Sequence, residues 1–329
     1  MSVTLIATGG TIASTLGPDG MVTTTLSGAD LLDGAGPTTD QVEVVDLSVP
    51  GSWNLTVELA ASVAGEARAA LLGGADGVVI THGTDVLEET AWLCELLVRD
   101  VMDRGPVVLT AAMRHASEFA PDGPRNLADA IAVASTPTSA GRGALVCVNG
   151  ELHHARWVTK THATALATFA SPGRGPVGEV SDPDVRFTAP SPPPPPEPPA
   201  DGGAVGEIPI VVSHWDVDPA IIDWHLDRGA RGLVVQGSGA GNVNGQLVPG
   251  IERALAVGVP VVGTTRCLLG EVTPIYGGAG GFAALERAGV LASHGLSAGK
   301  ARLALGVALA ADPDPDAVRR YLSGLAVGA

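Results

Sequence analysis

Tyrosine occurs only at positions 276 and 321 of this 329-residue chain, and aromatic residues of all kinds make up 3% of it. A core built mainly on rings is excluded, and any chemistry that needs a phenol has two candidates, Tyr276 and Tyr321. Lysine is as scarce, with Lys160 and Lys300 alone in a chain that otherwise uses arginine. Of the two cations only lysine gives up its proton when buried, so a catalytic amine has few places to be. Positive charge is short overall: 19 basic residues stand against 35 acidic ones, for a formal net charge of −16. Such a field repels a phosphate backbone and excludes nucleic acid and anionic membrane surfaces as expected partners.

The three cysteines, Cys94, Cys147 and Cys267, are odd in number and show no CxxC spacing, so they frame neither a disulfide scaffold nor a zinc site. They read as small core residues in a reducing compartment. No apolar run approaches the roughly 18 residues of a membrane span. After Met1 the chain enters the apolar stretch 3–7 without the basic and apolar regions of a signal peptide. The expected location is cytoplasmic, and the sequon Asn54-Leu55-Thr56 is expected to carry no glycan.

Apolar residues are plentiful, at 45% with a mean hydropathy of +0.28. At about 100–200 residues per domain, the length suggests two domains. Short β-branched runs at 3–7, 42–47, 77–80, 107–110 and 143–148 alternate with helical stretches at 57–72, 87–104 and 126–134. Apolar strands separated by helices predict an α/β fold with a parallel sheet covered on both faces and active groups at the strands' carboxyl ends. Residues 190–199 hold eight of the 25 prolines, which fix φ and remove amide donors. They mark a Pro-rich linker, 189–204, between an N-terminal domain, 1–188, and a smaller C-terminal α/β domain, 205–329. There the rhythm resumes at 208–212, 220–228, 232–236, 251–257 and 259–263, with closing helices near 298–310 and 315–325.

Three segments carry residue types suited to nucleophilic chemistry. In Ala7-Thr8-Gly9-Gly10-Thr11-Ile12-Ala13, directly after a strand, two glycines permit a sharp turn with free amides and a threonine hydroxyl projects just beyond. It lacks the third glycine of GxGxxG and the lysine of a P-loop, and spacing alone leaves a structural or phosphate-cradling turn open. Thr81-His82-Gly83-Thr84-Asp85 also follows a strand and leads into Glu88-Glu89-Thr90-Ala91, where acidic residues suit a helix N-terminus. Helix electrostatics account for the acids, but not for two threonines and a glycine at one strand end. Thr159-Lys160-Thr161-His162 sets one of the two lysines between hydroxyls. A dinucleotide turn at Gly237-Ser238-Gly239-Ala240-Gly241 is disfavoured, since the last glycine and the following acid are missing.

Together with Ala112-Met113-Arg114, Asp122-Gly123-Pro124, Asn126-Leu127 and Val158-Thr159-Lys160-Thr161, these segments resemble the bacterial-type L-asparaginase family over nearly the whole chain. The resemblance implies hydrolysis of a small amide, L-asparagine or also L-glutamine, to the acid and ammonia, with no metal and no organic cofactor. Thr11 matches the primary nucleophile, and Thr84, Lys160 and Asp85 match a second group that activates the attacking hydroxyl or water. A threonine hydroxyl is a poor nucleophile until a base takes its proton, and a desolvated lysine can be that base. Asp85 also matches the acceptor of the substrate α-ammonium, Ser52 the serine that holds the α-carboxylate, and the Ala112 carbonyl the acceptor for the amide. The turns at Gly10 and Gly83 match the backbone N–H groups that stabilise the oxyanion. In the family a neighbouring subunit's C-terminal domain closes the site, which implies a homodimer or homotetramer. Asn244, in Gly241-Asn242-Val243-Asn244, stands at the contributed asparagine.

Two family features have no counterpart. The loop after the nucleophile, 14–27, contains no tyrosine, and the neighbour's glutamate has no clear match near 266–278, where Glu271 is a weak candidate. Tyr276 of the neighbouring subunit is expected to supply the missing phenol, the plain alternative being a tyrosine packed before a Gly-Gly turn. His153-His154 would point to opposite faces of a strand and are not expected to share a metal, while His162 would line the site. Two rival readings are a non-catalytic amino-acid-binding module and an asparaginase-like subunit of a tRNA-dependent amidotransferase. The latter meets RNA and carries an extra N-terminal region, against which stand the acidic charge and a first motif that begins at Ala7.

Overall fold

The computed structural model describes residues 1–36, 40–47, 51–181, 184–197, 203–204 and 206–326, in two units, Met1–Glu197 and Pro198–Ala329. The first unit begins with β1 (Ser2–Ala7), β2 (Ser14–Leu16), β3 (Val22–Thr24), α1 (Gly28–Ala35), β4 (Gln41–Asp46), α2 (Val57–Leu72), β5 (Gly77–Thr81) and α3 (Leu87–Val98). It continues with β6 (Val107–Thr110), α4 (Gly123–Ala134), β7 (Ala144–Val148), β8 (Glu151–His154), β9 (Thr159–Lys160), β10 (Phe169–Ala170), β11 (Gly178–Ser181) and β12 (Asp184–Phe187).

An eight-stranded sheet takes the order β12-β11-β8-β7-β6-β5-β1-β4. Neighbours from β4 to β7 run parallel, and β8, β11 and β12 extend the sheet antiparallel. Every residue of β5, β6 and β7 is buried, which is why these strands read as unbroken apolar runs instead of alternating ones. Leu5, Val79, Val108, Leu127, Ile131 and Leu145 share one core, each such side chain contributing about 1.5–3 kcal/mol by leaving water. Local signals agree with the packing: Thr56 caps α2 through Leu59 N–H, and Ser27 and Asp30 form a capping box on α1.

The strand order positions the site. From β1 the chain travels to β4 on one side, whereas from β5 it travels to β6 on the other. The order therefore reverses between β1 and β5, the point at which an open α/β sheet forms its binding crevice, at carboxyl ends that lead into residues 8–11 and 82–85.

Some expectations are corrected. The helix expected over 87–104 stops at Val98 and passes into a single tight turn, Arg99–Val101, because Pro106 disfavours helical backbone at Gly105 and polar Asp103 and Arg104 offer no buried face. The β2–β3 hairpin and the antiparallel strands beyond β8 were not anticipated from sequence. Residues 189–197 of the expected linker contain no helix or strand and are fastened to the first unit: Ser191 Oγ donates to Arg142 O at 2.9 Å and Arg99 Nε to Pro195 O at 2.6 Å. Of the remaining linker, 198–202 lie outside the described residues.

The second unit contains β13 (Ile210–Val212), α5 (Ala220–Asp227), β14 (Leu233–Gly237), α6 (Val248–Ala256), β15 (Val261–Thr265), α7 (Phe282–Ala288), β16 (Leu291–Ala292), α8 (Ala298–Ala311) and α9 (Pro315–Ser323). Its four strands form a parallel sheet in the order β13-β14-β15-β16, around a core that includes Ile222, Leu233, Leu247, Ile251 and Phe282. The protein is thus a two-domain α/β structure. Helix α7 and strand β16 were not anticipated, and α6 begins at Val248, before the expected residue 251, with a proline in its first turn.

Candidate active site

Both walls of the crevice are backbone. Thr8 extends the β1–β5 pairing by donating from N and from Oγ1 to Thr81 O, at 3.2 and 2.7 Å. Gly9 and Gly10 then turn the chain at φ +89°, a conformation glycine adopts without strain. A Cβ on Gly10 would stand 2.5 Å from Gly83 Cα, and a Cβ on Gly83 would stand 2.5 Å from Ser52 Oγ. Three separate segments, at Gly10, Gly83 and Ser52, therefore meet so closely that neither glycine could carry a side chain. Thr11 follows at once and opens the turn Thr11–Ala13, whose Ile12 and Ala13 are buried in the core and fix it. Among the described residues the N–H groups of Thr11 and Thr84 enter no backbone hydrogen bond.

Ala112 comes to the same place from β6. A Cβ on Gly123 would lie 2.9 Å from Ile12 Cγ1 and 3.4 Å from Ala112 Cβ. The loop is held by Asp122, which accepts from the N–H groups of Met113 and Arg114 at 3.0 and 2.9 Å, and by Asn126, whose Nδ2 donates to Ala111 O at 2.8 Å. These bonds explain why an aspartate and an asparagine accompany the alanine in sequence.

Thr84, Asp85 and Lys160 are brought together. Lys160 Nζ donates to Thr84 Oγ1 and to Asp85 Oδ1, each at 2.8 Å. The lysine side chain is 16% exposed and Asp85 50%, while Thr84 is buried. His82 braces the loop from within: its Nδ1 lies 2.7 Å from Gly83 O and its Nε2 3.0 Å from Thr90 Oγ1 on α3. Since a carbonyl only accepts, Nδ1 carries the hydrogen. Burial holds this imidazole below its usual pKa, so Nε2 is free to accept from Thr90.

Sequence reasoning missed Glu88. It accepts from the Thr159 hydroxyl at 2.9 Å with Oε1 and from the Lys160 backbone N–H with Oε2. An acid in a helix's first turn already has a sufficient local reason, and a partner 71 residues away leaves no local trace. His162 does not point to chemistry: it is exposed, and its Nδ1 accepts from the N–H groups of Thr164 and Ala165, closing a turn. His153 and His154 are both buried and have different partners, Ser171 with Glu151 for the first and the Arg156 N–H for the second. Among the described residues no cluster of His, Cys, Asp or Glu could hold a metal ion, and no helix is long and apolar enough to cross a membrane.

Asn244, Tyr276 and Glu271 lie in the second unit. The Asn244 side chain is engaged locally, with Oδ1 accepting from Gln246 N–H at 3.0 Å and Nδ2 donating to His214 O at 3.1 Å. It borders a cavity of about 550 Å³ at the carboxyl ends of β13, β14 and β15, shared with Trp215, Ser238 and Arg266. Tyr276 is 58% exposed, and its chain neighbour Ile275, with Leu268 and Leu269 earlier in the segment, is more exposed still. Glu271 is also exposed, in the same loop.

Comparison with known proteins agrees in both units. Residues 2–193 match the family model described as Asparaginase, N-terminal, and residues 207–322 match the Glutaminase/Asparaginase C-terminal domain. The chain is 38% identical to a probable L-asparaginase of Deinococcus radiodurans, covering 97% of this chain and 96% of the relative. It is 33% identical to a probable periplasmic L-asparaginase of Haemophilus influenzae, over 97% and 92%. The crystal structure of a probable cytoplasmic L-asparaginase from Campylobacter jejuni superposes with a TM-score of 0.87 at 28% identity, covering 98% of this chain and 99% of that one.

Proposed function

The chain belongs to the asparaginase family and is an amidohydrolase, and on that premise we propose that it hydrolyses the side-chain amide of L-asparagine to L-aspartate and ammonia, with Thr11 as nucleophile. The observation that carries the assignment is Lys160 Nζ, 2.8 Å from both Thr84 Oγ1 and Asp85 Oδ1, which lie in a loop whose Gly83 abuts the turn that presents Thr11. In its uncharged form Lys160 takes a proton through Thr84 from the attacking hydroxyl, and Asp85 keeps the amine aligned. Thr11 Oγ1 attacks the amide carbon, and the N–H groups of the two turns receive the oxyanion. The proton then goes to the departing ammonia, and water releases L-aspartate from the acyl-threonine. Asp85, half exposed, is placed to accept the substrate α-ammonium as well. Ser52 holds the α-carboxylate and the Ala112 carbonyl accepts from the amide, and this chemistry calls for no metal or cofactor.

A second copy of the chain completes the site in this reading, giving a homodimer or homotetramer in the cytoplasm, with Asn244 and Tyr276 offered to a neighbour. The exposed apolar side chains Leu268, Leu269 and Ile275, in the same segment of chain as Tyr276, support such an interface. The names of the Deinococcus radiodurans and Haemophilus influenzae relatives support L-asparagine as the substrate, with L-glutamine as the second amide to try. The test is an ammonia assay on L-Asn, L-Gln and D-Asn with the native protein and Thr11→Val. L-Asn turnover by the native protein and loss of about 10³-fold in the variant are expected; equal rates in the two proteins would sink the nucleophile assignment.

A further inference from the structure

Lys160 lies on β9, a strand of two residues whose ladder partner is β10, in a small hairpin separate from the eight-stranded sheet. The sheet that fixes Thr11 and Thr84 therefore does not fix the lysine. Among the described residues, the hydrogen bonds that carry segment 159–160 out of its hairpin end on Thr84 and Asp85 from Nζ, and on Glu88 from the Thr159 hydroxyl and the Lys160 backbone. Glu88 uses both carboxylate oxygens for this. Its helix is itself secured at two further points: Thr90 pairs with His82 of the Thr84 loop, and Glu95 Oε2 accepts from Ala144 N–H on β7 at 2.6 Å. Helix α3 thus touches the Thr84 side of the relay through Thr90 and the Lys160 side through Glu88.

The geometry points to Glu88 as the positioning residue of Lys160, setting the amine against Thr84 without touching substrate. This inference rests on the catalytic reading above. A bracket of this kind acts through distance: misplacing an amine by about 1 Å costs on the order of 100-fold in rate. Glutamine at 88 can still accept from Lys160 N–H and, by donating from its amide, satisfy the Thr159 hydroxyl. It should preserve the bracket without the charge.

The experiment measures L-Asn turnover, melting temperature and acylation of Lys160 by acetic anhydride, which transfers an acetyl group to Nζ and releases acetate, read by peptide mass spectrometry with buried Lys300 as internal reference. Glu88→Ala is expected to lower kcat about 100-fold with KM little changed, and to make Lys160 react roughly tenfold faster as the hairpin opens. Glu88→Gln should restore kcat to within about fivefold, and Glu88→Ala should cost nothing more in a Lys160→Met background, since removal of one member of a unit masks the other. An unchanged kcat and an unchanged labelling rate in Glu88→Ala overturn the proposal, as does an equal loss of activity in the Lys160→Met background. Faster labelling combined with a fully active Lys160→Met protein would retain the bracket and reject the catalytic role of the lysine.

Discussion

The two units present their candidate residues in opposite ways. In the first, Gly10, Gly83 and Ser52 are pressed together at distances that leave no room for a Cβ on either glycine, and Thr84, Asp85 and Lys160 already hold one another. In the second, Asn244 commits its side chain to Gln246 and His214 within the unit, and Tyr276 stands 58% exposed. The difference separates chemistry that a fold builds for itself from surface that it offers elsewhere. The first unit is preorganised; the second supplies groups whose use depends on what covers them.

The largest effect should come from breaking the preorganised half. Lys160→Met is expected to lower kcat about 10³-fold in the ammonia assay at a nearly unchanged melting temperature, and an active variant would dissolve the contrast between the units. Next, if the proposed homo-oligomer forms through this segment, Leu268→Asp combined with Ile275→Asp should dissociate it and lower activity on the order of 100-fold, followed by light scattering coupled to size exclusion. An active monomer would mean that the second unit lends nothing. Tyr276→Phe sharpens the same point to one oxygen atom: a loss of about tenfold in kcat is expected, and near-normal turnover would return Tyr276 to a packing role.

The smallest effect concerns the far end of α3. Burial pushes the Glu95 carboxyl up to about 7 from 4.5. The folded state therefore holds this proton more tightly than the unfolded chain between those values, and stability falls as pH rises through the window. Glu95→Gln keeps an acceptor for Ala144 N–H with no charge to bury. Its melting temperature relative to the parent should rise by about 2–4 °C between pH 5 and pH 8, and a pH-independent difference would count against the burial cost.

Much of the first unit was legible because its information is local. Strands buried on both faces must be apolar throughout, and turns that cannot hold a Cβ must be glycine, so β1, β5 and their motif loops announce themselves. The antiparallel strands β11 and β12 were missed because half-exposed strands of four residues leave a weak alternating pattern. Glu88 was missed for a different reason: a helix N-terminus accounts for an acid there, and nothing nearby names Thr159 as its partner. Asn244 was read from its motif, but its capping bonds to Gln246 and His214 depend on a loop conformation the motif does not specify.

The reversal of strand order between β1 and β5 also has a meaning in time. Thr8 and Thr81 meet across 73 residues, so the crevice cannot exist until a long loop has closed and a parallel pairing has formed, both slow events compared with helix formation. During refolding, helical signal should return first and amide turnover last, and the lag between them would clock the joining of the two central strands.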